Sequence, residues 1–174
     1  MTRKILLTSF DTWLPHHKSN ASDDLLIEVA KLDDIPYELN LLRQLPVDIR
    51  AASDRVLAQI DQLQPDAIVC CGMAEKSTQL SVESNARRET VLKTSINLDK
   101  LLAGLDDVKI SHDAGRFVCE GLYYSILQAI SENNISSNCL FVHVPLLTPD
   151  NSVQMQSELL QIIQRMGTMR SDRS

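Results

Sequence analysis

The sequence predicts an α/β fold in which a largely parallel sheet carries helices on both faces. Short β-rich apolar runs alternate with amphipathic helical stretches along the chain. Two of those runs, 66–72 and 139–144, are apolar almost without a break, as strands covered on both sides must be. At 174 residues the chain has the usual size of one domain. We expect a single domain over residues 1–166 and a flexible C-terminal tail over 167–174, with no internal repeat, linker or low-complexity stretch.

In chain order, Lys4 to Thr8 reads as a buried first strand. The connector from Ser9 to Ser19 is unusually rich in rings, with Phe10, Trp13, His16 and His17. Asn20-Ala21-Ser22-Asp23 offers N-cap chemistry before an amphipathic run from Leu25 to Leu32. Tyr37 to Leu45 reads as a second strand, stopped by Pro46. Ile49, Ala52, Val56, Ile60 and Leu63 recur at helical spacing and end before Pro65. Asp66 to Gly72 suits a central parallel strand. Gln79 to Val82 reads as a short strand, Ser95 to Leu102 as a short helix and Val108 to Ile110 as another strand. A helix from Cys119 to about Ser131, a strand from Cys139 to Val144 and a helix from Val153 to Met166 complete the pattern.

Composition narrows the function classes. With 44% hydrophobic and 23% charged residues the chain reads as globular, and with 4% aromatics its core must be largely aliphatic. A formal net charge of −6 argues against nucleic acid and anionic membrane as partners. No apolar run reaches the ~18 residues of a membrane span, and no signal-peptide pattern opens the chain, so a cytoplasmic protein is expected. None of the four cysteines forms a C-x-x-C pair. Cys70, Cys71 and Cys139 lie in apolar runs, where a free Cys behaves as a small hydrophobe.

Cys119 differs. It follows Ala114-Gly115, a pair that permits a tight turn, and it opens a helix. The positive end of a helix dipole favours thiolate relative to a free Cys of pKa about 8.5. His143 ends an apolar strand, where an imidazole can take a thiol proton and return it to a leaving amine. Glu83 ends a short half-apolar strand, and a carboxylate on the imidazole would fix its tautomer. Taken singly, each has an ordinary structural reading: a buried Cys, a hydrogen-bonded core His, a solvated Glu. Their common position near strand ends makes the group a candidate site.

Together these segments resemble pyroglutamyl peptidase I, the pyrrolidone-carboxylate peptidases of cysteine-peptidase family C15. The likeness runs from Lys4 to about Pro145. It rests on Asn20, Leu45-Pro46, Gln64-Pro65-Asp66, Gly72-Met73-Ala74 and Leu80-Ser81-Val82-Glu83. The motif from Ser111 to Cys119 and Phe141-Val142-His143-Val144-Pro145 complete it, the cysteine motif being the most specific. The resemblance implies a three-layer α/β/α fold, phosphorylase/hydrolase-like, with a mostly parallel mixed central sheet. It implies a Cys119–His143–Glu83 triad that removes an N-terminal pyroglutamyl residue from peptides through a thioester. It also implies an apolar pocket for the lactam ring at Phe10, Trp13, Met73, Phe117 and Val118, no metal or cofactor, pyroglutamylated peptides as partners, and a homo-oligomer.

The chain departs from the family pattern in places. Leu14-Pro15-His16-His17 replaces the Gly-Gly of the first loop, and Ser9 its leading Gly. Ser84 follows the triad Glu in place of a basic residue, and Glu120 follows the Cys, where its charge would oppose thiolate if the side chains are close. The stretch from Ala86 to Lys100 is short for the family, with Arg87 or Arg88 as substitutes for a family Arg.

Three alternatives follow from these residues. The first is a divergent relative acting on another amide or serving as a binding protein. The second is a metal-binding module using His16, His17, Asp11 and Cys70 or Cys71, disfavoured because adjacent side chains rarely aim at one ion. The third is a nucleoside- or phosphate-binding enzyme, for which no G-x-G-x-x-G or G-K-S/T loop is present.

Overall fold

The structure, a computed structural model, describes residues 1–170. Strands β1 (Lys4–Phe10), β2 (Glu38–Leu45), β3 (Ala67–Met73), β4 (Ser81–Glu83), β5 (Asn85–Arg87), β6 (Val91–Lys93), β7 (Lys109–Ser111) and β8 (Asn138–Val144) are interleaved with five helices. These are α1 (Ala21–Ala30), α2 (Ile49–Leu63), α3 (Leu98–Leu101), α4 (Val118–Glu132) and α5 (Ser152–Thr168). The six-stranded central sheet has the order β2-β1-β3-β8-β4-β7. Its first four strands are mutually parallel; β4 pairs antiparallel with β8, and β7 runs parallel to β4. The mostly parallel, mixed α/β sheet is therefore the one expected.

The sheet divides the core in two. On one face α1, α3 and α5 bury Leu25, Leu26, Leu101, Leu159 and Ile162 against Ile5, Leu7, Val69 and Val142. On the other, α2 and α4 bury Val56, Ile60, Leu122, Tyr123 and Ile126 against Leu6, Ile68, Cys70 and Phe141. The alternation of Val69 and Val142 with Cys70 and Phe141 is the period of two that sends successive side chains to opposite faces. Few aromatics are needed, because branched aliphatics fill both layers.

Several bounds follow from local chemistry. Asn20 caps α1, its side-chain oxygen accepting from Ser22 N at 3.0 Å. Asp48 caps α2 by accepting from Ala51 N at 2.8 Å. That helix stops at Gln64, left-handed at φ 50°, because Pro65 excludes a helical residue before it. The first strand reaches Phe10, two residues beyond the sequence reading, because a bulge between Thr8 and Phe10 keeps it paired with β2. Helix α5 continues to Thr168, with Gly167 buried against the Tyr37 ring, so that part of the expected tail is helical. Residues 171–174 of that tail lie outside the described residues. The shortened stretch after Glu83 forms the β5–β6 hairpin, which the sequence reading does not contain. Among the described residues no helix is long and apolar enough to cross a membrane.

Candidate active site

At the carboxyl edge of the sheet, β3 and β8 end side by side, with Gly72 paired to His143. Helix α4 begins above them. A Cβ on Gly72 would stand 2.6 Å from Cys119 Sγ and 3.0 Å from Phe141 Cζ, so the thiol rests directly on the β3 backbone. Neighbouring strands are about 4.8 Å apart, so the α4 thiol that rests against Gly72 of β3 comes next to His143 on β8. Only a glycine leaves room for that approach.

Glu83 reaches the same imidazole from the other side. In the antiparallel β4–β8 pair Ser81 opposes His143 and Glu83 opposes Phe141. Glu83 is thus the diagonal, same-face neighbour of His143, and its Oε1 lies 2.7 Å from Nδ1. Glu83 ends its strand, as expected, but not at the sheet's carboxyl edge. Because β4 runs against β8, its end points away from the carboxyl edge, and Glu83 reaches back toward it from a buried position. Tyr123 fixes the Glu83 backbone by donating its hydroxyl to the carbonyl at 3.0 Å.

Burial alone would lower the proton affinity of His143, but Cys119 and Glu83 more than offset it, through side-chain hydrogen bonding and then charge. The His143 pKa is pushed up to about 9. The other buried thiols are different: burial raises Cys71 and Cys139 well out of the reactive range. With Cys70 they are core hydrophobes, as expected.

No side chain caps the first turn of α4, whose N-cap is Phe117, so its leading N–H groups have no side-chain capping acceptor. Glu120 does not crowd the thiol; its Oε1 accepts the Arg87 backbone N–H at 3.0 Å and holds the β5–β6 hairpin instead.

A cavity of about 880 Å³ opens on this group. Cys119, His143 and Glu83 line it, as do all five apolar positions expected from the sequence, Phe10, Trp13, Met73, Phe117 and Val118. Phe10 is buried at the end of β1, whereas Trp13 is 55% and Phe117 75% exposed, their rings 6.4 Å apart. Two large rings facing solvent over a thiol make an apolar mouth. Arg87 and Arg88 do not line this cavity; Arg116 does, and the sequence reading passed over it. Its signal was present, since it lies three residues before Cys119 in the turn that the motif defines.

The two histidines of the first loop lie together. Leu14 to His17 forms a turn closed by His17 N donating to Leu14 O at 3.0 Å, with Pro15 at its second position. That turn sets the adjacent His16 and His17 rings edge to face, 4.3 Å apart with their planes at 64°, and turns both toward Glu75. Asp11, Cys70 and Cys71 are not part of this cluster.

These elements define a class of protein: a three-layer α/β sandwich with a thiol, an imidazole and a carboxylate in line at one sheet edge. The particular fold is that of pyroglutamyl peptidase I. The enzyme of Bacillus amyloliquefaciens superposes with a TM-score of 0.78 over 97% of each chain at 18% identity. The pyrrolidone carboxyl peptidase of Thermococcus litoralis gives 0.77 over 95% of this chain and 91% of its own, at 16% identity. In sequence the chain is 23% identical to the pyrrolidone-carboxylate peptidase of Bacillus subtilis, over 93% of this chain and 86% of that protein. The Brachyspira hyodysenteriae peptidase is also 23% identical, over 83% and 84%. No family model matches the chain. The resemblance drawn from the motifs thus extends to the whole fold and to most of the sequence.

Proposed function

We propose that this protein is a cysteine peptidase that removes N-terminal pyroglutamyl residues from peptides, with Cys119 as nucleophile, His143 as acid–base and Glu83 as its orienting partner. The observation that carries this reading is the single line from a thiol seated on Gly72, through an imidazole, to a buried carboxylate 2.7 Å away. Glu83 occupies Nδ1 and so leaves Nε2 of His143 for the sulfur.

The lactam ring would enter between Trp13, Phe117 and Met73, which would set the exocyclic carbonyl that joins it to the next residue over Cys119. The sulfur, its proton held on His143, forms a C–S bond while the carbonyl oxygen takes the charge. The uncapped N–H groups at the start of α4 are the donors for that oxyanion. The C–N bond then breaks as His143 protonates the departing amine. Water, losing its proton to His143, forms the new C–O bond, and the thioester C–S bond breaks to release pyroglutamate. A reducing cytoplasm would keep the thiol competent.

Turnover of a pyroglutamyl-amide fluorogenic substrate tests the proposal. Release of the fluorophore by the purified protein, abolished in Cys119→Ala, is the expected result. An intact Cys119 protein with no turnover on any pyroglutamyl substrate would overturn it.

A further inference from the structure

We propose that His16, His17 and Glu75 form a site for a zinc-class divalent ion that ties the first loop to the exit of β3 and so sets the position of Trp13 at the cavity mouth. The ligand atoms of the three residues lie within 4.8 Å of one another. His16 Nε2 stands 3.4 Å from Glu75 Oε1, close to the separation of about 3.3 Å that two donors adopt on one tetrahedral zinc. His17 Nε2 contacts the same carboxylate oxygen. Two imidazoles and one carboxylate form a borderline-soft donor set, suited to zinc rather than to calcium or magnesium.

The site is built rather than adventitious. The His17 side chain is only 5% exposed, and its Nε2 is the atom turned to Glu75. The turn from Leu14 to His17 fixes its backbone, and the rings of His16 and Trp13 pack against it, the latter at 6.3 Å. One ligand is therefore held in place before any ion arrives. His16 and Glu75 are more exposed, which leaves an entry path and a coordination position for water.

The ion would join the loop after β1 to the turn after Met73, two segments that the His16–Glu75 and His17–Glu75 contacts already bring together. Both border the cavity, through Trp13 on one side and Met73, Ala74 and Lys76 on the other. The consequence for substrate rests on the peptidase reading above; the binding of the ion does not.

Zinc alone is the probe, added to the Cys119→Ala protein so that the thiol cannot capture it. Trp13 is the chain's single tryptophan, so its emission reports the loop directly. One zinc per chain is expected by calorimetry, with a saturable change in tryptophan emission. Affinity should fall at least about tenfold in His16→Ala and in Glu75→Gln, both at exposed positions where folding is not at stake. Absence of stoichiometric zinc, or zinc binding that neither substitution weakens, would overturn the site. A peptidase that turns over substrate yet ignores these residues would separate the failure of this proposal from failure of the functional one.

Discussion

Glu83 lies opposite Phe141 in the antiparallel β4–β8 pair, yet its carboxylate meets His143, two residues further toward the sheet edge, at 2.7 Å. The diagonal matters because it places the acid beneath the imidazole, out of solvent, and leaves the upper side of the ring open to Cys119. A buried carboxylate there stabilises the charged ring. Glu83→Gln keeps the shape and removes the charge, so kcat should fall about 10²- to 10⁴-fold.

The same pair sets a pH dependence. His143 is raised from 6.5 to about 9, so its proton is fully held at neutral pH and lost as pH rises through that value. Any stability the charged ring contributes is complete below 6.5 and disappears through about 9. The alkaline limb of kcat/KM should follow the same proton. In Glu83→Gln that limb should move to lower pH, because the group that favours imidazolium has gone. An unmoved limb would mean that another group carries it.

Gly72→Ala tests the seat of the thiol. The added Cβ would stand 2.6 Å from Sγ and 3.0 Å from the Phe141 ring, neither of which can withdraw without disturbing α4 or the core. We expect activity to fall by more than about a hundredfold, since misplacing a reacting atom by 1 Å costs on that order. Thiol labelling by a small electrophile should slow in parallel, while circular dichroism stays that of the parent.

Which parts of this were legible beforehand depends on how strongly each segment advertises itself. Continuous apolar runs mark β3 and β8, and helical spacing marks α2, legible from Ile49 to Leu63 because the apolar repeat opens at Ile49 and Pro65 stops it. Cys119 and His143 were found because one opens a helix and the other ends an apolar run. The hairpin of Asn85–Arg87 and Val91–Lys93 carries almost no apolar signal, since most of its second strand is exposed. The reversed direction of β4 and β7 was equally hidden: a three-residue strand has no directional signature. The convergence of His16 and His17 on Glu75 depends on one turn and a contact across 58 residues, which no local pattern encodes.

The bulge at Ser9 yields a fourth prediction. Its hydroxyl donates to Asp23 Oδ1 at 2.6 Å and accepts from Gln44 N at 3.2 Å, joining β1, α1 and β2. Arg43 completes the cluster with Nε and a terminal nitrogen each 2.9 Å from an Asp23 oxygen. Burial would raise the Asp23 pKa, but Arg43 and Ser9 together hold it below the ordinary 3.8. Its contribution to stability is therefore present above 3.8 and lost as pH falls through the lower folded value. Arg43→Ala should cost on the order of 2 kcal/mol near neutrality, because it leaves the carboxylate short of its main partner. The difference from the parent in urea unfolding should shrink in strong acid.

Glu158 predicts the opposite pH signature. It lies on α5 with 7% exposure; Gln154 donates to its Oε1 at 2.8 Å, but Oε2 is buried without a partner. Burial first, and Asp107 nearby, raise its pKa above 4.5 despite the bond from Gln154. The folded state thus binds a proton more readily than the unfolded chain does, so stability is greatest below 4.5 and declines as pH rises through the folded value. Glu158→Gln retains an acceptor for Gln154 and removes the charge that faces Asp107. Its melting temperature should exceed the parent's at about pH 8 and converge with it in acid. A gap that widens on acidification would place the cost of Glu158 in packing rather than in its charge.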